Sequence, residues 1–304
     1  MTSHEAVFPG GSVSYGKRQA IGVALIIISA IAIAMVPSLG KLAYEGGSNT
    51  LTVITGRSAF SVTITFLLLL ISRQPIAIAR RPLMISLGSG VGYAVILYGY
   101  LGAVNYLPVN QVVLIYFIHP LLVGLLAMWL GQERLTLASI GALAVALLGL
   151  GLVIGFSIEK VDLVGLCLAA TAMVMTAVVI IANSRAMAQA PAISVCFFMM
   201  LSTAAVLAAL FALFGDLALP TTTLSWTGFT GVAIAATTGT LTFLCGMTHI
   251  GATRAAMLTN LEPVVGVLFA ICLLDEQVTL VQGVGILVVI AAIIFLERQR
   301  CSRD

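Results

Sequence analysis

The sequence predicts an all-α integral membrane protein of ten transmembrane helices, built as two inverted five-helix repeats. Three observations predict it. Of 304 residues, 61% are hydrophobic and only 8% charged, against about 25% charged in soluble domains, and a mean hydropathy of +1.16 leaves no stretch for a large water-soluble domain. The apolar residues also gather into runs of spanning length, since a bilayer-crossing helix takes about 20 residues. Finally, residues 107–154 align without a gap on residues 250–297, at an offset of 143. That offset covers five runs, an odd number, so the second half enters the membrane in the opposite direction from the first.

The runs lie near residues 19–40, 50–72, 83–104, 109–130, 136–156, 163–184, 192–214, 224–247, 254–274 and 279–296. Each is continuously apolar rather than alternating, which favours helices over barrel strands. The first follows a polar stretch ending in Lys17 and Arg18; it is too long for a signal peptide and lacks a convincing cleavage site, so it reads as a retained span. Short breaks carry Glu45-Gly46-Gly47, Arg80-Arg81-Pro82, Glu133-Arg134, Glu159-Lys160, Pro191 and the stretch from Asp216 to Pro220. The organisation is a tail at 1–18, one repeat at 19–156, its inverted mate at 157–297 and a second tail at 298–304.

With the amino terminus in the cytoplasm, eleven basic residues fall inside: Lys17, Arg18, Arg73, Arg80, Arg81, Arg134, Arg185, Arg254, Arg298, Arg300 and Arg303. Only Lys41 and Lys160 fall outside, and Arg57 lies within the second span. That bias places both termini in the cytoplasm. The net charge of +3 is therefore no nucleic-acid signal. The cysteines Cys167, Cys196, Cys245, Cys272 and Cys301 share no CxxC spacing, so neither a disulfide framework nor a metal site is implied, and no cofactor is expected.

Within the repeat, Pro120 matches Pro263, Glu133 matches Glu276 and Thr136 matches Thr279. The segments HPLLVGLLAMWLGQERLTLASIGALAVALLGLGLVI and EPVVGVLFAICLLDEQVTLVQGVGILVVIAAIIFLE resemble the doubled signature of the drug/metabolite transporter superfamily, in its EamA-like branch, over nearly the whole chain. Arg57 stands where this family commonly has an arginine. His119 replaces the glutamate before the proline in the first half, and Asp275-Glu276-Gln277 replaces the more usual Gly-Glu-Arg. The resemblance implies a ten-helix inner-membrane carrier, usually an exporter of amino acids, metabolites or drugs.

A proline inside a helix removes an N–H and frees the carbonyl four residues earlier. Pro120 and Pro263 thus free the carbonyls of Tyr116 and Thr259, each about ten residues from a span end and so near mid-membrane at about 1.5 Å per residue. Tyr116 with His119, and Thr259 with Glu262, make two polar stripes at one depth, where inverted-repeat carriers bind cargo. A mid-bilayer carboxylate is costly unless paired or neutralised, so Glu262 is a binding or proton-carrying residue, or a structural partner of a cation such as Arg57. His119 is either a proton acceptor or a core donor. Arg57 is either an anion-binding cavity residue or an anchor near the interface. Tyr93, Tyr98, Thr238 and Asn260 are further candidates to line the cavity, against back-bonded hydroxyls as the plainer reading.

Glu133 and Glu276 sit in turns on opposite sides, where they support the next helix; Thr279 with Gln282 has a capping-box spacing. Gly88 with Gly92, and Gly151 with Gly155, have the small-xxx-small spacing of close helix packing. Trp226 marks a membrane interface.

The function expected is secondary active transport of small metabolites by alternating access, with export the expected direction and a proton as candidate coupling ion. A non-coupled facilitator or lipid-type flippase of the same fold is the alternative. An intramembrane enzyme is disfavoured, because HExxH, GxSxG and paired membrane aspartates are all lacking. The partners expected are a small-molecule substrate and the lipid bilayer, with a proton and a homodimer mate as further candidates, and no nucleic acid. One cavity carboxylate suits a cationic or zwitterionic amine, Arg57 in the cavity would suit a carboxylate, and both together would suit an amino acid.

Overall fold

The computed structural model describes residues 12–103, 105–131, 137–154, 162–274 and 279–301. It is all-helical over these residues: α1 (Ser12–Glu45), α2 (Thr50–Ser72), α3 (Arg80–Ala103), α4 (Val109–Tyr116), α5 (His119–Trp129), α6 (Leu137–Ile154), α7 (Leu163–Met187), α8 (Ala192–Phe214), α9 (Thr223–Ile250), α10 (Ala252–Leu258), α11 (Leu261–Leu274) and α12 (Leu280–Cys301). These make ten spans, because the fourth is split into α4 and α5 and the ninth into α10 and α11. The expected second and seventh runs coincide with α2 and α8, whereas α1, α7, α9 and α12 extend past their expected ends by several residues.

Ends are set by caps. Asn49 Oδ1 accepts from Thr52 N before α2, Asp162 Oδ1 accepts from Val164 N and Gly165 N before α7, and Thr222 Oγ1 accepts from Ser225 N before α9. The capping box at Thr279 and Gln282 is formed: Thr279 N donates to Gln282 Oε1 at 2.9 Å, and Gln282 N donates to Thr279 Oγ1 at 3.2 Å. Glu133, Thr136, Gly155 and Glu276 lie outside the described residues.

The repeat shows in which helices touch. Helix α1 lies along α9 and against α11; its counterpart α7 lies along α3 and against α5. Helices α2 and α8 pair with each other, as do α6 and α12, so exchanging the halves reproduces these pairings. An even number of spans returns the chain to the face from which α1 starts; we call this the termini side and the opposite face the far side.

Small residues permit the contacts. Along the α1–α9 seam, a Cβ on Gly22 would come within 2.6 Å of Ile250 Cγ2, one on Gly239 within 2.6 Å of Ile33 Cδ1, and one on Gly228 within 2.7 Å of the Leu39 carbonyl. Ser29 Oγ donates to the Gly239 carbonyl across the same seam at 2.8 Å, a bond worth about 0.6 kcal/mol in a membrane bundle. Where α12 crosses α6, a Cβ on Gly285 would lie 2.7 Å from the Gly149 carbonyl. The expected packing role of Gly88 is corrected: it faces open space, because the contact face of α3 carries Gly90, Gly92 and Gly99 instead.

Candidate functional site

The site grows from the two broken spans. At each break the bonding tightens to three-residue spacing. Ile118 N bonds the Ile115 carbonyl and Leu121 N that of Ile118; Asn260 N bonds that of Met257 and Glu262 N that of Thr259. Pro120 sits in the first turn of α5 and Pro263 in the first turn of α11, where a missing N–H costs no helical bond. The two carbonyls expected to be free are engaged locally. Tyr116 O accepts from His119 Nδ1 at 2.9 Å, and Thr259 O accepts from Glu262 N at 2.8 Å. Since a carbonyl only accepts, Nδ1 carries the proton. Each break also starts a new helix inside the membrane, so Glu262 lies in the first turn of α11, at the end whose partial positive charge favours an anion.

These breaks open onto a cavity of about 130 Å³. Tyr116, His119, Thr259 and Glu262 line it from the broken spans, Ser29 and Ile33 from α1, and Tyr93 and Ile96 from α3. Thr176, Val179, Ile180 and Asn183 of α7, Met199 of α8, and Gly239, Thr240, Phe243 and Leu244 of α9 complete it. Tyr116 is the centre of an aromatic group: its ring lies 4.9 Å from those of Tyr100 and His119, and Thr176 Oγ1 lies 3.4 Å from its hydroxyl. The Glu262 carboxylate makes neither a hydrogen bond nor an ion pair with the described residues.

Four candidate residues fall elsewhere. Tyr98 is 62% exposed and Thr238 is exposed, so the expectation that they line the cavity is corrected. Tyr98 is five residues past Tyr93 and Thr238 two before Thr240, and at about 100° per residue each lands on the outer face of its helix. Arg57 is buried at 9% exposure on α2 but does not line the cavity. Neither the anion-binding position nor the pairing with Glu262 is formed. Asn260 is buried beside the cavity rather than in its lining; its Nδ2 donates to the Met257 carbonyl at 2.9 Å. Asn183, Thr176, Ser29 and Phe243 were missed. A lone amide in the apolar run of α7 was the signal for Asn183. Trp226 is 42% exposed and stacks on Phe229 at 5.6 Å.

The cavity is sealed unequally. On the termini side one apolar cluster joins both groups of helices: Val123 and Ala127 of α5, Ile180 and Ile181 of α7, Cys196 of α8, Leu244 and Met247 of α9, and Ala255 and Ala256 of α10. On the far side the corresponding clusters stay apart, one around Ala43, Val53 and Val232 and the other around Ala103, Leu107, Val112 and Ala169. There the halves are linked by α2 with α3 and α8 through Ile54, Ala94 and Leu207, and by α6 with α12 through Leu150 and Val289, a cluster that also takes in Phe117 at the end of α4 and Val264 of α11. The repeat partners show the same imbalance. Helix α5 packs on α10, whereas the described parts of α4 and α11 make at most marginal contact; α10 is wholly buried, while α4 is mostly half-buried.

The EamA-like transporter family model matches residues 20–155 and again residues 163–298. A solved crystal structure superposes with a TM-score of 0.79 at 19% identity, covering 92% of this chain and 96% of that one, a likeness of fold. No curated protein matches the chain.

Proposed function

Because the chain belongs to the EamA-like transporter family, we propose that it is a secondary active exporter of small metabolites, working by alternating access across the inner membrane with both termini in the cytoplasm. The observation that carries the reading is the mid-membrane polar cavity at two paired helix breaks, sealed by shared packing on one side only. Inverted repeats supply the second state: exchanging their roles packs α4 on α11 and parts α5 from α10. With cytoplasmic termini, the state described is the one that faces outward. The moving units in this reading draw on both repeats, α1 with α9 in one and α3 with α7 in the other.

Glu262 is the coupling residue in this reading. A carboxylate that lines the cavity without a protein partner binds a proton when the cavity faces one side and releases it on the other, or exchanges it for a cation. His119, with Nε2 unbonded among the described residues, is the second proton site, and Tyr116 and Thr259 shape the pocket around both. The test compares cells expressing the wild type, Glu262→Gln or no carrier, with mass spectrometry of medium and extract. A metabolite raised outside only by the wild type supports coupled export. Uphill transport by Glu262→Gln with unchanged pH dependence would remove the coupling role, and transport that never exceeds equilibrium would favour a facilitator.

A further inference from the structure

Two strong acceptors of the cavity lack a protein partner among the described residues. Ser29 donates to the Gly239 carbonyl, Thr176 to that of Ala172 and Thr259 to that of Ala256, so these hydroxyl protons are engaged. The hydroxyls of Tyr93 and Thr240 in the same lining make no hydrogen bond among the described residues, and three acceptors stand beside them. Asn183 is 2% exposed, its Nδ2 meets only Met199 Sδ at 3.0 Å, and its Oδ1 has no partner. Exchanging the two amide atoms would leave a polar atom unmet all the same. The Glu262 carboxylate and His119 Nε2 are likewise unbonded among the described residues. Among the described residues the lining contains neither lysine nor arginine.

These acceptors lie at two ends. Thr176 and Asn183 share one face of α7, seven residues or about 10 Å apart, and Thr176 reaches the hydroxyl of Tyr116 beside Glu262. The cavity therefore runs from a carboxylate at mid-membrane to an orphaned amide oxygen nearer the termini side. Its about 130 Å³ is smaller than an apolar cavity of about 150 Å³ that takes one benzene ring, and over that length it is narrow.

We infer that the cavity selects linear organic monocations with an ammonium at one end and a neutral hydrogen-bond donor at the other, as in amino alcohols of roughly four to six carbons, and that Asn183 is the residue that reads the second end. This rests on the cavity being the cargo site. The ammonium pairs with Glu262 beside the rings of Tyr93 and Tyr116, residue types that suit a cation. The neutral donor meets Asn183 Oδ1, which otherwise stays unsatisfied. A cargo carboxylate finds no cation in the lining, and a second ammonium would be buried against an amide alone.

The test is calorimetric binding to the purified full chain of five probes on one skeleton: 5-amino-1-pentanol, pentylamine, cadaverine, 5-aminopentanoate and norleucine. 5-Amino-1-pentanol should bind about five- to ten-fold tighter than pentylamine, the difference of one hydrogen bond, with norleucine and 5-aminopentanoate weakest. Asn183→Leu should bring 5-amino-1-pentanol down to pentylamine and leave pentylamine unchanged, which a merely structural role would not do. Asn183→Asp, which keeps an acceptor and adds charge, should raise the affinity for cadaverine. Norleucine or 5-aminopentanoate binding as tightly as the amino alcohol, equal losses for both amines in Asn183→Leu, or no binding by any probe would each overturn the inference. Counterflow in proteoliposomes separates this from the carrier reading. Binding of the amino alcohol without exchange leaves the inference standing and removes the carrier; exchange of norleucine instead does the reverse.

Discussion

Leu244→Ala should open the termini side, and Cys196 reports it. Leu244 is 2% exposed within the cluster that joins the two halves there, and Cys196, 1% exposed, lies in the same cluster five residues into α8. When the halves part, water replaces that packing. Leucine has three more carbons than alanine, and at about 0.8 kcal/mol per buried carbon the wild type holds the seal by about 2.4 kcal/mol more if fully exposed on opening, or about 1.2 if half exposed. At about 1.4 kcal/mol per tenfold, the variant's open population rises between about seven-fold and fifty-fold. The assay is the labelling rate of Cys196 by a membrane-impermeant maleimide applied from the termini side, with Cys167, Cys245, Cys272 and Cys301 replaced by alanine. The control is Leu207→Ala, an equally buried leucine at 1% exposure in the far half of the same helix. An unchanged rate in Leu244→Ala, or an equal rise in Leu207→Ala, would refute the assignment of the seal.

Gly285→Val should force α12 off α6, because even a Cβ would lie 2.7 Å from the Gly149 carbonyl; loss of folded protein by thermal unfolding in detergent checks it. Gly88→Ala, into open space on α3, should instead stabilise by about 0.5–1 kcal/mol through reduced backbone entropy. Thr279→Ala should cost about 1 kcal/mol by removing the cap of α12, seen as a lower unfolding temperature. Tyr98→Phe and Thr238→Val should leave transport rates unchanged, since both side chains face outward.

Much of the architecture was legible because each span is long, apolar and bounded by charge or proline. The two polar stripes were legible too, because Pro120 and Pro263 match across the repeat at mid-span and each follows a polar residue; proline alone would not have sufficed, since Pro37 lies inside an unbroken α1. What the residues did not disclose was which face of each helix points inward. In a soluble helix, alternation of polar and apolar residues marks the buried side; in these spans both lipid and neighbouring helices are apolar, so α3 offers Tyr93 and Tyr98 with nothing to tell them apart. The same flatness hid Gly90 behind Gly88 and Asn183 behind the end of α7. Arg57 illustrates a third case, since depth along a span says nothing about which neighbour it meets.

The glycine seam between α1 and α9 couples distant places. From Gly22 to Gly46 the first helix rises about 36 Å, held along that distance by backbone-close contact with α9. Two helices so joined cannot slide or splay locally; they tilt together as a stiff lever. An antibody fragment or a bound lipid that grips the far corner at Gly46 and Ser225 would therefore bias the position of Ile250 at the opposite surface while touching nothing in the cavity. Regulation from the far side needs no second pocket in such a molecule, only a handle on the long arm.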